Sequence, residues 1–226
     1  MTEPMRSASA VDALATDLLS AGYTTDGVGE MLGADAGAAF SRGLWWSALR
    51  ATDRAEPAHQ RLAVLVRLFL LGADEPRDHV ELAMPSAGVD ALTREGVIEA
   101  APDGRVRAVL DIRPHSDGVS DFLVVSDQDA AMRAGPVSHD HVLGIGGASV
   151  SLAHAVVRAP VGRALDLGTG CGIQALHLDA HCEESSPPTP TSGRSLSPRR
   201  RRASTGCRGI CGGAASSSPS PVNGST

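Results

Sequence analysis

The sequence predicts an α/β protein that begins with helices, continues with a helix and a β-hairpin, and then enters a glycine-rich strand–turn–helix. Three observations support this. Apolar residues before Gly72 recur at helical spacing, strand-like alternation surrounds Asp103-Gly104, and an apolar strand from Ala164 runs directly into a turn rich in glycine. Because 42% of the residues are apolar and 20% are charged, the composition is that of a core-forming, soluble protein.

The first part of the chain is expected to be helical. Leu14 and Leu18 lie on one face of a first helix that stops at Gly22. Three further helices are predicted over residues 25–32 (capped by Thr24 or Thr25 and ended by Gly33), residues 38–49 (with Trp45 and Trp46) and residues 61–71 (ended by Gly72). The last of these has the broadest apolar stripe.

From Pro85 the pattern changes to a helix over residues 87–95, a strand over 96–99, an Asp103-Gly104 turn and a strand over 106–112. A further strand over 121–126 would extend the same sheet. This order resembles a winged-helix module, which would recognise a substrate or a nucleic acid, or would only pack on its neighbour. The acidic balance and the absence of lysine favour packing. The residues that could support recognition are Arg105, Arg107 and Arg113.

Charge divides the chain at Glu184. All 26 acidic residues lie at or before this position, so residues 1–184, with 14 arginines, carry a net charge of −12. Residues 185–226 carry six arginines and no acid, together with 11 serines, six prolines and six glycines. Such a stretch cannot bury enough apolar surface to offset the entropy of ordering, and we predict that it is disordered. Its run Arg199 to Arg202 has the alternative interpretation of a nucleic-acid patch.

Composition also excludes several classes of protein. Aromatic residues make up only 3%, which argues against a nucleic-acid stacking platform. The sequence has no apolar run long enough for a membrane span and no signal-peptide core, so no membrane partner is expected. Four cysteines are too few for a disulfide scaffold, and the expected location is the cytoplasm.

The glycine-rich turn is the most informative motif. An apolar strand ends at Asp166, the turn Leu167-Gly168-Thr169-Gly170-Cys171-Gly172 follows, and an apolar-periodic helix begins near Ile173. Spaced glycines let the backbone approach a ligand, and a helix start offers free N–H groups. The dinucleotide pattern G-x-G-x-x-G would need glycine at Ile173, and the phosphate loop would need lysine, so both are excluded.

The sequence Asp-Leu-Gly-Thr-Gly-Cys-Gly resembles the first motif of class I S-adenosylmethionine-dependent methyltransferases. It is most similar to the branch containing the release-factor glutamine methyltransferases and the RNA and DNA amino-group methylases. The resemblance implies a Rossmann-like domain, with an added N-terminal domain before it. It also implies that Asp166 lies beside the methionine amino group of S-adenosylmethionine, and that Gly168, Thr169, Gly170 and Gly172 line this cofactor. The alternative is a tight strand-to-helix turn in another α/β protein.

The predicted organisation is a flexible start (1–9), a helical, winged-helix-like domain (10–130), the beginning of a methyltransferase domain (131–184) and the tail (185–226). Only the first strand and helix of the methyltransferase domain are recognisable. The acid that ends the second strand and the Asn-Pro-Pro-Tyr-type loop that grips the acceptor nitrogen are absent, so no catalytic residue is assigned. We therefore expect a truncated, inactive N-methyltransferase of protein or nucleic acid; the alternative is a non-catalytic winged-helix-like binding module for nucleic acid or protein.

The tail is best interpreted as the product of a shifted reading frame that begins near the codon for Glu184. Residues 185–191 can be encoded so that the neighbouring frame reads Val-Val-Ala-Thr-Asp-Thr-Asn, which is an apolar strand ending in an acid. Read in the same neighbouring frame, the codons for residues 192–199 can encode the start of a helix. A genuine disordered extension is the alternative.

Histidines offer one further motif. His177 and His181 are four residues apart on the helix after the turn, a spacing compatible with metal binding. Since no third ligand is evident, no metal site is predicted.

Overall fold

A computed structural model describes residues 5–129, 141–179, 181–186 and 194–196. These residues form a mixed α/β structure. The α-helices are α1 (Ala8–Ser20), α2 (Thr25–Ser41), α3 (Trp45–Asp53), α4 (Gln60–Leu65), α5 (Arg77–Ala83), α6 (Val89–Arg94), α7 (Gly147–Ala155) and α8 (Ile173–Asp179). The strands are β1 (Glu75–Pro76), β2 (Ile98–Ala100), β3 (Arg105–Ala108), β4 (Leu110–Ser116), β5 (Asp121–Asp127), β6 (Val161–Leu165), β7 (Cys182–Ser186) and β8 (Arg194–Leu196).

The second helix begins where the sequence predicts it, and the first has a side-chain cap, Ser7, that was not predicted. The Ser7 hydroxyl accepts a hydrogen bond from the Ala10 N–H, and the Thr24 hydroxyl accepts one from the Gly27 N–H at 3.1 Å. Gly33, with φ of 72°, interrupts α2 as expected from the sequence, and a second helical segment continues to Ser41.

The prediction of one helix over residues 38–49 is wrong. The chain leaves the helical path at Gly43, whose φ is 83°, and α3 starts afresh at Trp45. Gly43 can adopt this left-handed conformation without a Cβ penalty, so the apolar spacing across it does not produce a continuous helix.

The helix predicted over residues 61–71 is confirmed, with a change of type along its length. It is α-helical over α4 and continues as a π-helix over Val66–Leu70. The side chains of Leu65, Leu68 and Phe69 are fully buried, so this segment forms the centre of the main core. A short 3-10 helix, Pro57–His59, precedes it.

The strands form three sheets. In the first, β3 lies between β1 and β2, all antiparallel, and Pro102–Gly104 forms the turn between β2 and β3. The second has the order β4-β5-β8, also antiparallel. The third consists of β6 and β7 in parallel, with Arg163 opposite Glu184.

Two strand predictions need correction. The strand expected over 106–112 is interrupted at Val109, whose N–H donates to the carbonyl of Val97, and β4 begins a separate sheet. The strand β5 pairs with β4 and does not extend the hairpin of β2 and β3. Strand β1 was not predicted, because a strand of two residues shows no alternation of apolar and polar side chains.

Strand β5 connects the front of the chain to the glycine-rich segment. Leu123 and Val125 face the main core, whereas Phe122 and Val124 face a second core. The other buried members of the second core are Val142, Cys171 and Ile173. Successive side chains of a strand point to opposite faces, so one strand serves both cores.

The described part of the tail is small. Ser185 and Ser186 end β7, and Arg194–Leu196 forms β8. The remainder of the predicted disordered tail, and residues 130–140, lie outside the described residues. The first strand of the glycine-rich segment, the only one recognisable there in the sequence, is paired with a second strand, β7. Within the described ranges, no helix combines the length and hydropathy needed to cross a membrane.

Candidate cofactor site

The glycine-rich turn lies between a strand and a helix, as the sequence predicts. Strand β6 ends at Leu165, the turn covers residues 166–172, α8 begins at Ile173, and the chain returns as β7 parallel to β6. Parallel neighbours need a crossover connection, and α8 supplies it here. The turn therefore lies at the carboxyl end of a parallel strand, which is where α/β folds bind their ligands.

Three glycines of the turn adopt conformations that other residues disfavour. The φ angles of Gly168, Gly170 and Gly172 are 73°, 54° and 84°. A Cβ atom built on Gly168 or Gly172 would meet no atom within 4 Å, and one on Gly170 would meet only the Gly168 carbonyl at 3.9 Å. The glycines are therefore required by backbone conformation and leave open space beside the turn.

Asp166 presents an unpaired carboxylate oxygen to this turn. Its Oδ2 atom is buried and has no hydrogen-bond partner among the described residues. Burial raises the pKa of the Asp166 carboxyl, and the Thr169 hydroxyl and the Ala175 N–H act against that shift. A buried acceptor without a partner is costly, so this oxygen is suited to a donor that is not part of the described chain.

Internal hydrogen bonds hold the turn in shape. The Thr169 hydroxyl donates to the backbone carbonyl of Asp166 at 3.2 Å, and the Gly172 N–H donates to the carbonyl of Thr169 at 2.8 Å. Cys171 and Ile173 pack into the second core, and burial raises the pKa of the Cys171 thiol. All five predicted cofactor residues thus belong to this turn: Asp166 begins it, and Gly168, Thr169, Gly170 and Gly172 follow.

A histidine pair, which the sequence analysis did not find, joins α8 to β4. The Nε2 atoms of His115 and His177 are 2.7 Å apart, and an Nη2–H of Arg158 donates to Nδ1 of His177 at 2.9 Å. Because a guanidinium has only hydrogen-bond donors, Nδ1 of His177 is the acceptor from Arg158. The proton of His177 is then on Nε2, which donates to Nε2 of His115. Both imidazoles are therefore neutral in this arrangement. The two histidines are 62 positions apart, so no local pattern reveals the contact.

These histidines give a prediction on pH. Burial is the main cause that lowers the pKa of both His115 and His177 below 6.5, and Arg158 adds to it for His177. The unfolded chain consequently takes up more protons at acidic pH, so the free energy of unfolding should fall as the pH drops from about 6.5. We expect urea unfolding to show a smaller loss of stability between neutral and acidic pH for His177→Gln than for the unchanged protein.

The matched control for this prediction is His59→Gln, since His59 is exposed. It should leave the pH dependence as it is. Equal slopes for all three proteins would show that the histidine pair does not couple protonation to folding.

Strand β6 and its flanks expose apolar side chains. Leu165 and Leu167 are 63% and 76% exposed, and Leu152, Val157 and Val161 are also exposed. The central strand of a parallel sheet is normally buried on both faces. Within the described residues, the sheet of β6 and β7 therefore leaves these apolar side chains uncovered.

The three arginines that could have supported recognition all bond to other groups, with Arg105 and Arg107 in β3 and Arg113 in β4. Arg107 forms an ion pair with Asp74 at 2.7 Å, and Arg113 forms one with Asp111 at 2.8 Å. Arg105 donates to the backbone carbonyl of Asp74 at 2.8 Å. These contacts favour a packing role for the region over phosphate binding.

Metal ligands do not converge in the described ranges: the His, Cys, Asp and Glu side chains there form no group of three or more that could hold a metal ion. His177, which has a metal-compatible spacing in the sequence, instead contacts His115 and Arg158.

Comparison with known proteins gives one family match. Residues 20–109 match a family model described as "Domain of unknown function (DUF7059)". The match begins at the last residue of α1 and ends directly after β3, so it covers the first sheet and its helices but not the candidate cofactor turn. A search of curated proteins found no match to the chain.

Proposed function

We propose that the residues from β6 onward begin a class I S-adenosylmethionine-dependent methyltransferase domain with a Rossmann-like sheet. The observation that carries this proposal is the turn itself: three positive-φ glycines follow a strand that ends beside a buried, unpaired carboxylate oxygen of Asp166. The parallel return of the chain through α8 to β7 agrees with such a sheet.

The residues present fit the cofactor in two respects. The unpaired Oδ2 of Asp166 would accept a hydrogen bond from the amino group of the methionine part. The open space beside Gly168 and Gly172 would admit the cofactor next to the backbone, with Thr169 and Gly170 completing the lining. When bound, S-adenosylmethionine supplies a methyl group on a positively charged sulfur, which a nucleophilic nitrogen can attack. No described residue is assigned a catalytic role.

The front of the chain is proposed to be a winged-helix-like module added to this domain. The support for this proposal is the topology. Along the chain, β1 is followed by α5 and α6 and then by β2 and β3, which a tight turn joins. In the sheet, β3 lies between β1 and β2. Because Arg107 of β3 is paired with Asp74, the module is proposed to pack on the second sheet and not to bind phosphates. A non-catalytic binding module for nucleic acid or protein remains the alternative, and no contact at the turn favours it.

The tail is proposed to be encoded out of frame from about Glu184. Read in the neighbouring frame, the codons for residues 185–191 can encode an apolar strand that ends in an acidic residue. The position of β7, Cys182–Ser186, agrees with a second strand at this point of the chain. The exposed apolar side chains beside β6 agree with a sheet that needs further strands. An acidic strand end would supply the group that this fold uses for the ribose hydroxyls.

This proposal predicts that the chain as it stands binds S-adenosylmethionine weakly or not at all, because a two-stranded sheet provides only part of the pocket. The measurement is calorimetric titration of the protein with the cofactor. Gly118→Val is the matched control for Gly170→Val, since Gly118 also has positive φ (89°) but lies in the turn between β4 and β5. Micromolar affinity that Gly170→Val abolishes and Gly118→Val preserves would contradict the claim that the pocket is incomplete.

A further inference from the structure

Both tryptophans of the chain lie side by side on the surface. Trp45 and Trp46 begin α3 and are 51% and 53% exposed. The low aromatic content of the sequence argued against a stacking platform, but composition does not say where the aromatic residues are. The structure leaves about half of each indole exposed at the first two positions of α3, on neighbouring faces of the helix.

Three arginines lie close to these tryptophans along the chain. Arg42 lies in the turn before α3, Arg50 lies within the helix, and Arg54 follows its last residue. Trp46, Arg50 and Arg54 are spaced by four residues and so share one face of the helix. We refer to Arg42, Trp45, Trp46, Arg50 and Arg54 as the α3 surface.

These arginines differ from the others that the structure describes. Every other arginine whose side chain is described has a partner. Most of these arginines donate hydrogen bonds to a carboxylate, a backbone carbonyl or a histidine. Arg42, Arg50 and Arg54 are exposed, and their side chains make no hydrogen bond or ion pair within the described ranges. The single acid of α3 is Asp53. The α3 surface is therefore locally cationic in a strongly acidic part of the chain.

We propose that the α3 surface binds single-stranded nucleic acid, with bases stacking on Trp45 and Trp46 and phosphates contacting Arg42, Arg50 and Arg54. Indoles with unpaired arginines around them are the combination that binds single strands without reading their sequence. Double-stranded nucleic acid offers no free base faces for the indoles. An anionic membrane fits less well, because Leu44 is the only exposed aliphatic residue beside the tryptophans, and Ala48 is buried. The proposal does not depend on the proposed cofactor site.

The test uses the intrinsic fluorescence of the protein, since its only two tryptophans belong to the α3 surface. The full chain is titrated with an oligouridine of about a dozen nucleotides, with the corresponding RNA duplex, and with vesicles containing phosphatidylserine. We expect the oligouridine to quench the fluorescence, and the logarithm of the affinity to fall with the logarithm of salt concentration with a slope of about −2, as three phosphate contacts imply.

Two pairs of substitutions distinguish binding at the α3 surface from a general effect of positive charge on the affinity. The double variant Arg50→Gln, Arg54→Gln should weaken oligouridine binding about tenfold or more at low salt. The control, Arg77→Gln with Arg94→Gln, removes the same charge from α5, where Arg77 is half-buried, and from α6, where Arg94 is exposed. It should change the affinity less than about twofold. The arginines of residues 199–202 are present in every variant, so their contribution cancels in the comparison.

Circular dichroism should show the same helical content for every variant. Three results would overturn the proposal: no quenching by oligouridine, an equal loss of affinity in the control pair, or quenching by the vesicles or the duplex in preference to the single strand.

Discussion

Replacing Asp17 by alanine should lower the free energy of unfolding by about 3–5 kcal/mol. Asp17 is 1% exposed and lies on α1. Its Oδ2 accepts hydrogen bonds from the N–H groups of Ser86 and Ala87 at 2.9 and 2.8 Å, and its Oδ1 is 3.3 Å from Nη2 of Arg61. The substitution leaves these donors without an acceptor in a buried place.

The control for this prediction is Asp12→Ala, on the same helix. Asp12 is exposed, so its loss should change stability by less than about 0.5 kcal/mol. Urea unfolding followed by far-ultraviolet circular dichroism measures both variants. A change below about 1 kcal/mol for Asp17→Ala would mean that Asp17 does not fix α1 to the loop after α5.

The second large effect concerns the ion pair between Arg67 and Glu75. Glu75 is 4% exposed, and its two carboxylate oxygens accept from Nε and Nη2 of Arg67 at 2.5 and 3.1 Å. Arg67→Met alone leaves a buried carboxylate without its cation and should destabilise the fold by about 3–5 kcal/mol. The double variant Arg67→Met, Glu75→Leu should recover most of that loss, because a buried ion pair can often be replaced by apolar residues of similar volume.

The same unfolding experiment, arranged as a double-mutant cycle, gives the coupling energy of the pair. If the double variant were as unstable as the sum of the two single variants, Arg67 and Glu75 would contribute separately. Arg67 Nη1 also donates to the Thr52 carbonyl at 3.4 Å, and loss of this contact is common to the single and the double variant.

Local patterns predicted those elements that local interactions determine. These elements are the stop of α1 at Gly22, the cap of α2, the interruption at Gly33, the core segment from Leu62 to Phe69 and the start of α8 near Ile173. They follow from spacing, capping side chains and glycine. The errors occur where the chain changes direction without a change in apolar spacing. Gly43 and Val109 both interrupt runs that otherwise match one element.

Contacts between distant residues could not be predicted. The pairing of β5 with β4, the short strand β1 and the contact of His115 with His177 depend on tertiary packing. For the candidate site, the sequence indicated the residues of the glycine-rich turn, while the buried and unpaired oxygen of Asp166 became visible only in three dimensions. Likewise, a low aromatic content did not indicate that the two tryptophans are adjacent and exposed.

The assignment to the methyltransferases depends on the continuation of the chain beyond Glu184. Sequencing the locus around this codon shows whether the neighbouring frame stays open and encodes an Asn-Pro-Pro-type loop downstream. An early stop codon in that frame would contradict the out-of-frame interpretation of the tail.

The most direct measurement is calorimetric titration of the frame-restored protein with S-adenosylmethionine, beside its Gly170→Val and Gly118→Val variants. The Gly170→Val substitution would strain the backbone at a φ of 54° and place a branched side chain in the space beside the turn. The proposed function predicts micromolar binding for the frame-restored protein and for Gly118→Val, and no measurable binding for Gly170→Val. Absence of binding by the frame-restored, folded protein, or equal binding by Gly170→Val, would contradict it.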